Sequence, residues 1–158
     1  MLEIVKLPTP SLRECSTKIE RKVLLSAEIQ KLIKDIVPTM HNDDGIGLAA
    51  PQVGKNIRLC VVGKEATPEK KADLILINPE WIKTNRKKVT NIEGCLSVPK
   101  TYGKVKRYRD IEVKSWNEKG EIMEFDAHDF FARVIQHEVD HLDGILFIDK
   151  AKDVYTVE

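Results

Sequence analysis

The sequence predicts an α+β fold, and three observations indicate it. A helical apolar period occupies positions 25–40, segments rich in β-branched residues follow between 57 and 127, and a second helical segment spans about 128–142. Strands collected between two helices are typical of α+β domains. No repeat, low-complexity tract or linker divides the 158 residues, so the sequence predicts a single domain over 1–158.

The first predicted element is an N-terminal amphipathic helix. Its apolar residues recur at helical spacing and are expected to pack on the core: Leu25, Ile29, Leu32, Ile33, Ile36, Val37 and Met40. Ser26 is expected to cap this helix, and Pro38 is expected to kink or loosen its last turn. The stretch that follows, GIGLAAPQVG at 45–54, is too interrupted by glycine and proline for a regular element.

Four later segments are predicted to be strands. Residues 57–63 and 74–79 are rich in β-branched side chains, and 111–117 and 121–127 read as a hairpin across residues 118–120. The alternation of apolar and polar residues in 111–117 favours antiparallel strands with one wet face. The late helix should end near Leu142, because Gly144 follows as a stop signal.

Composition narrows the class of protein. Lys and Arg total 26 against 25 Asp and Glu, a net charge of +1 that favours neither a nucleic-acid partner nor an anionic membrane surface. Cys15, Cys60 and Cys95 are an odd number at wide spacing, so a reducing compartment is expected rather than a disulfide framework. No apolar run approaches the length of a membrane span, and the N-terminal residues do not resemble a signal peptide. The composition therefore predicts a cytoplasmic protein.

The segment QHEVDHLDG at 136–144 carries the clearest chemical signal. His137 and His141 are four residues apart, so a helix presents both imidazoles on one face and both can bind one ion. Glu138 lies beside the first histidine, close enough to reach a water on that ion without binding the ion itself. Metal ligands beside a separate general base are the division of roles that metal-assisted hydrolysis requires. The alternative is a helix with two surface histidines and ordinary acidic neighbours.

Two histidines are too few for a catalytic metal site, and the usual downstream ligands are missing. The pattern H-E-x-x-H-x-x-G-x-x-H has its glycine at Gly144, but Phe147 stands at the third histidine position. The other usual choice is a Glu on a later helix, for which the 17 residues after His141 leave little room. The third ligand is therefore expected upstream, among Cys15, His41, Cys60, Cys95 and His128.

Cys95 is the favoured third ligand. It lies in EGCLSVP, between a glycine and a proline, where the backbone can leave a strand and turn toward a site. Cys60 lies among apolar residues of a predicted strand, where an inert thiol is expected. His128 precedes His137 by nine residues, too far along a helix to share its ion. A Cys95 thiolate would complete a His₂Cys set with a fourth position open for water, as in catalytic sites.

Three stretches in this order, GIGLAAPQVG, EGCLSVP and QHEVDHLDG, closely resemble those of bacterial-type peptide deformylases. The resemblance implies removal of the N-terminal formyl group from formyl-methionyl nascent polypeptides. It also implies antiparallel sheets packed around a central C-terminal helix that carries the H-E-x-x-H motif. Contact with the ribosome is expected to be transient at most, because the tail after residue 147 is short and not strongly basic.

The resemblance also assigns roles at the predicted metal centre. Cys95, His137 and His141 would hold one divalent ion, with Glu138 as the general acid/base acting on a metal-activated water. Zinc is the default from ligand chemistry alone. The family is associated with Fe(II) in the cell, replaceable by zinc, nickel or cobalt, so iron is the expected native metal.

Further roles follow from the same resemblance. Gln52 and the Leu96 N–H would face the developing oxyanion, and Gly47 would contact the substrate through its main chain. Glu93 is expected to pair with Arg107 and to steady the loop that carries the cysteine ligand. A methionine-sized pocket is expected between four side chains, for any one of which core packing is the alternative: Ile46, Phe130, Arg133 and Val134.

The sequence leaves two other classes of protein open. An endopeptidase on the same helix motif would cleave internal peptide bonds and accept substrates without a formyl group. A non-catalytic domain with a structural metal would close its site with a fourth protein ligand and would not need Glu138.

Overall fold

Eight strands and three α-helices form the regular structure of the computed structural model, which describes residues 1–158. The strands are β1 (Gly47–Ala49), β2 (Leu59–Val62), β3 (Leu74–Lys83), β4 (Lys88–Cys95), β5 (Val98–Tyr108), β6 (Asp110–Trp116), β7 (Ile122–His128) and β8 (Lys152–Thr156). The helices are α1 (Arg21–Leu24), α2 (Ala27–Asn42) and α3 (Asp129–Leu142). One antiparallel sheet has the order β1-β2-β3-β6-β7, and a second has the order β4-β5-β8. The α+β class predicted from the sequence is confirmed.

Helix α2 covers one region of the five-stranded sheet. The Ser26 hydroxyl accepts a hydrogen bond from the Ile29 N–H at 3.4 Å and so caps the helix. Pro38 lies within the helix, which continues past it to Asn42. The buried side chains of α2 pack on β1, β2 and β3 in a cluster of 13 buried residues.

Helix α3 is buried on nearly every side. Eleven of its 14 residues are buried, and its apolar residues join a 14-residue core with β2, β3, β6 and β7. The Gln136 amide joins it to the other sheet, because it donates to the Tyr108 carbonyl at 2.8 Å and accepts from the Tyr108 N–H at 3.1 Å. The helix ends at Leu142, and Gly144 follows with a φ of 75°. Charged side chains on so enclosed a helix need a partner or a function.

The β4–β5 hairpin carries the cysteine toward α3. Gly94 pairs with Tyr102, after which the register shifts and Cys95 pairs with Val98. A Cβ on Gly94 would lie 2.6 Å from the Tyr102 ring, so the hairpin requires glycine there. The ladder therefore ends in an irregular turn at Cys95, as the flanking glycine and proline predicted.

The prediction of strands from the sequence was incomplete. It missed β4, β5 and β8, because β8 is exposed throughout and the hairpin strands expose most of their polar side chains. The stretch 45–54 was also wrongly expected to lack regular structure, since it contains β1 and a short 3₁₀ helix, Ala50–Val53. No helix in the structure has the length and apolar character needed to cross a membrane.

Candidate active site

The three side chains predicted to hold a metal lie together. The donor atoms of Cys95, His137 and His141 all lie within 4.8 Å of one another. The Cys95 Sγ is 3.4 Å from the His141 Nε2. The His137 Nδ1 lies 2.9 Å from a Glu93 carboxylate oxygen, so its Nε2 is left for another partner. A strand end and two successive turns of α3 thus bring one thiol and two imidazoles to a single point.

The surroundings of these side chains fit a divalent cation. Burial alone would lower the pKa of His137, but hydrogen bonds to Cys95 and Glu93 raise it to about 10. The position therefore favours a positive charge, which a metal ion would supply in place of the proton. Burial lowers the pKa of His141 well below its ordinary value, so this imidazole is neutral and offers a lone pair. Two imidazoles and a thiolate suit a borderline ion such as zinc or iron(II).

The other upstream candidates lie outside this group. Cys60 is buried in β2, and Cys15 is exposed near the N-terminus. His128 lies 2.8 Å from an Asp110 carboxylate oxygen at the end of β7. His41 belongs to a separate group of side chains at the surface. Of the five candidates named from the sequence, only Cys95 joins the two histidines.

Glu138 is buried beside these three candidate ligands. Its side chain lies against Gly47, where an added Cβ would come within 2.6 Å of the Glu138 Oε2, so the close approach of β1 requires glycine. The other oxygen, Oε1, is buried without a hydrogen-bond partner. Burial raises the pKa of Glu138 to about 7, although the charge of His137 opposes the shift. A carboxyl group with such a pKa can both accept and release a proton near neutral pH.

Gln52 lies in the 3₁₀ helix after β1 and directs its amide toward the cysteine. Its Oε1 accepts a hydrogen bond from the Ala49 N–H at 3.0 Å. Its Nε2 donates to the Ser97 Oγ at 3.1 Å and lies 3.4 Å from the Cys95 Sγ. Leu96, next to the cysteine, lines an open cleft beside these side chains. Ser97 is fully buried and was missed from the sequence, although it stands within EGCLSVP.

Glu93 lies at the centre of a network of buried charged side chains. It accepts two hydrogen bonds from Arg107, at 2.9 and 3.0 Å, and lies beside His137. Burial alone would raise the pKa of Glu93, but the hydrogen bonds from His137 and Arg107 leave it well below its usual range. Arg107 also donates to Asp140 at 2.6 Å, and the Lys150 ammonium lies 3.0 Å from the same carboxylate. The structure brings the predicted Glu93–Arg107 pair together and adds Asp140, which sequence reasoning missed.

A cleft of about 500 Å³ opens beside the ligands. Ile46 and Phe130 line it with 44% and 49% of their surface exposed, so these two side chains lie at its mouth and not in the core. Val134 lines the cleft but is also buried in the core around α3. Other walls that the sequence did not indicate come from the β4–β5 hairpin: Ile92, Pro99, Lys100 and Tyr102.

Arg133 makes contacts that the sequence did not indicate. It borders the cleft, but it is only 5% exposed and its guanidinium points into the protein. It donates to Glu93 at 2.6 Å, to the Val105 carbonyl at 2.9 Å and to the Val89 carbonyl. Its place at the pocket therefore stays a prediction, while its charged end is committed to buried acceptors.

Comparison with known proteins identifies the family of this chain. Residues 1–156 match the family model described as polypeptide deformylase. The chain belongs to the peptide deformylase family. Members of this family are metal-dependent enzymes that remove formyl groups, and the His₂Cys group described above is a possible metal site.

Relatives in the deformylase family match along almost the whole chain. The peptide deformylase of Desulforudis audaxviator is 40% identical over 155 residues, covering 98% of this chain and 96% of that protein. Peptide deformylase 1 of Clostridium acetobutylicum is 46% identical over 139 residues, or 88% of this chain and 87% of that one.

Solved structures of deformylases have the same fold. A class I type b peptide deformylase from Acinetobacter baumannii, bound to Met-Ala-Ser, has a TM-score of 0.87 and 33% identity, covering 95% of this chain and 98% of that one. A peptide deformylase from Synechococcus elongatus in complex with actinonin also has a TM-score of 0.87, with 38% identity over 96% of this chain and 81% of that one.

Proposed function

We propose that this chain removes the formyl group from formyl-methionyl nascent polypeptides, with one divalent ion held by Cys95, His137 and His141. The observation that carries the proposal is the buried Glu138 carboxyl beside this His₂Cys group at one side of an open cleft. A peptide substrate is supported by the relative whose structure contains Met-Ala-Ser.

The reaction requires a proton to move from water to the departing amine. A bound divalent ion would supply Lewis-acid chemistry, which lowers the pKa of water and makes it a nucleophile near neutral pH. Glu138 accepts the proton of the attacking water as a C–O bond forms at the formyl carbon. It then donates that proton to the α-amine as the C–N bond breaks and formate leaves. Its pKa of about 7 suits both steps.

Two donors are proposed to stabilise the negative oxygen that develops on the formyl carbon. Gln52 is held by Ala49 and Ser97, so its amide N–H is fixed beside the cysteine before the substrate arrives. The Leu96 N–H is the second donor. Donors of this kind act through preorganisation, since they need no rearrangement during the reaction. Gly47 is proposed to contact the substrate main chain. Ile46, Phe130, Arg133 and Val134 are proposed to surround its first side chain.

The native metal is proposed to be iron(II), with zinc, nickel or cobalt able to replace it. A thiolate and two imidazoles accept all of these ions. Protein purified anaerobically from cells would show which metal is bound by elemental analysis. Zinc alone in such a sample would contradict the proposal of iron.

The cellular setting is also a proposal. We propose that residues 1–158 act as one domain in the cytoplasm and meet nascent chains in a transient contact with the ribosome. The nature of the substrate supports this setting, because formylated chains are found at the start of synthesis.

The decisive experiment measures formate released from formyl-Met-Ala-Ser by anaerobically prepared protein, with metal content determined on the same sample. We expect formate release in proportion to bound metal, and no hydrolysis of unformylated Met-Ala-Ser. Cleavage of internal bonds in unformylated peptides would favour an endopeptidase. One metal per chain without any hydrolysis would favour a structural site.

A further inference from the structure

Arg133 is a buried charge that the proposed reaction does not use. It lies on α3 one helical turn before His137, and its side chain is 7% exposed. Its guanidinium donates to a Glu93 oxygen and to the carbonyls of Val89 and Val105. A guanidinium removed from water is stabilised only where its donors are satisfied, so a position that merely lined a pocket would favour an apolar residue.

The partners of Arg133 lie on the element that supplies the third ligand. The histidines come from α3, whereas Cys95 comes from the end of β4, so the two elements must keep one relative position for the ligands to meet. Glu93 and Val89 are on β4 and Val105 is on β5. Arg133 therefore connects the histidine-bearing helix to both strands of the cysteine-bearing hairpin.

Arg133 also completes the set of donors around Glu93. One Glu93 oxygen accepts from Arg107 and lies 2.9 Å from the His137 Nδ1. The other oxygen accepts from Arg107 at 3.0 Å and from Arg133 at 2.6 Å. Arg107 approaches from β5 and Arg133 from α3, so the carboxylate is held from two elements at once.

From these contacts we propose that Arg133 is a positioning residue of the metal centre. It holds the hairpin with Cys95 against the helix with His137, and it fixes the Glu93 carboxylate that orients the His137 ring. This inference rests on the proposed metal site, but it assigns to Arg133 a role in metal affinity separate from contact with the substrate.

The test is the affinity of the Arg133→Met variant for Co(II), measured by competition with a chromophoric chelator. Methionine keeps an apolar stem of similar length and removes every donor. We expect affinity to fall about 10–100-fold, the range found when partners that orient a ligand are lost. The absorption band of the thiolate–Co(II) bond should weaken as well, because Cys95 is less firmly placed.

Arg58→Met is the matched control. Arg58 donates to the Leu142 carbonyl at 3.1 Å, to the Ser16 carbonyl and to Asp143, so it holds the other end of the same helix without touching a ligand or Glu93. Both variants should lower the free energy of unfolding, measured by urea denaturation. Only Arg133→Met should weaken Co(II) binding by the folded protein.

A double-mutant cycle tests the route through Glu93. In a Glu93→Gln background, Arg133→Met should weaken Co(II) binding less than it does in the wild type, because the two residues act on one arrangement. Arg133→Lys should restore part of the Co(II) affinity through a single contact with Glu93. If the methionine variant does not fold, the Co(II) affinity of Arg133→Lys is compared with that of the wild type instead.

Two results would overturn the role of Arg133. One is wild-type Co(II) affinity in folded Arg133→Met or, where that variant does not fold, in Arg133→Lys. The other is an equal loss of affinity in Arg58→Met. Failure of the deformylase proposal has a different signature, since the wild type would then bind Co(II) but release no formate.

Discussion

Two groups of metal-ligating side chains occur in this chain, and they share little beyond their spacing. The centre cluster consists of Cys95, His137 and His141, and the surface cluster consists of His41, Glu65 and Asp73. In each, the three donor atoms lie within 4.8 Å of one another. The difference lies in burial and in the partners around each group.

The two histidines of the centre cluster are largely buried. His141 is 1% exposed, and His137 is oriented by a buried carboxylate that two arginines hold. In the surface cluster the His41 side chain is 38% exposed, and its Nε2 already lies 2.9 Å from Asp73. We therefore expect that spacing alone does not make a metal centre, and that burial and oriented donors are needed as well.

Among the substitutions that test this difference between the two clusters, Cys95→Ser should have the largest effect, a loss of metal affinity. A hydroxyl is a much poorer ligand than a thiolate for a borderline divalent ion, so we expect a loss of metal affinity greater than the roughly 10–100-fold caused by losing an outer partner. Elemental analysis after dialysis would measure it. Cys60→Ser is the control, since that thiol lies in β2 outside the group and should leave metal content unchanged. A Cys95→Ser protein with full metal would remove the cysteine from the ligand set.

Glu138→Gln should separate catalysis from metal binding. The carboxyl is buried beside the ligands but is not one of them, so the variant should keep its metal and lose about 10²–10⁴ in kcat, the usual contribution of a general acid or base. Formate release and metal content on one sample would show both effects. Full activity in this variant would exclude the proposed proton transfer.

Gln52→Met should have a smaller effect than loss of the base. It removes one proposed donor to the oxyanion while it keeps a side chain of similar length, so we expect kcat to fall about 10²–10³ with KM little changed. Ser97→Ala provides the comparison, because it removes only the hydroxyl that holds the Gln52 amide. Steady-state kinetics on formyl-Met-Ala-Ser would show which of the two substitutions lowers kcat more. A change in KM alone would assign Gln52 to substrate binding instead.

The sequence predicted the centre cluster better than it predicted the residues that hold the cluster in place. His137 and His141 were found because four-residue spacing on a helix is a local feature, and Cys95 was found by excluding the other candidates. Asp140 and Ser97 were missed although they stand within the same motifs. Their partners, Arg107 and Gln52, are distant in sequence. Packing of the hairpin on α3 brings Arg107 to Asp140, and packing of the 3₁₀ helix Ala50–Val53 beside the hairpin brings Gln52 to Ser97.

The same reason explains the errors in the fold and the contacts of Arg133 that the sequence did not indicate. Periodicity predicted the late helix. Strands β4 and β5 have no apolar period, because one face of their hairpin is exposed to solvent and the other packs against a network of charged side chains. Arg133 was assigned to the pocket from its place on the helix. A helical position shows which face a side chain occupies, and it does not show that backbone carbonyls of two strands lie opposite.

His41→Ala should have the smallest effect on metal content and stability, and it is the most direct test of the difference between the surface cluster and the centre cluster. The imidazole Nε2 lies 2.9 Å from Asp73 at the surface, and an exposed contact of this kind contributes about 0–1 kcal/mol to the free energy of unfolding. We therefore expect one metal per chain before and after the substitution, with unchanged formate release and a melting temperature close to that of the wild type. Metal content and thermal denaturation would measure both. Loss of a second equivalent of metal in this variant would show that exposed, already paired donors can also bind an ion here, and that burial is less decisive than the centre cluster indicates.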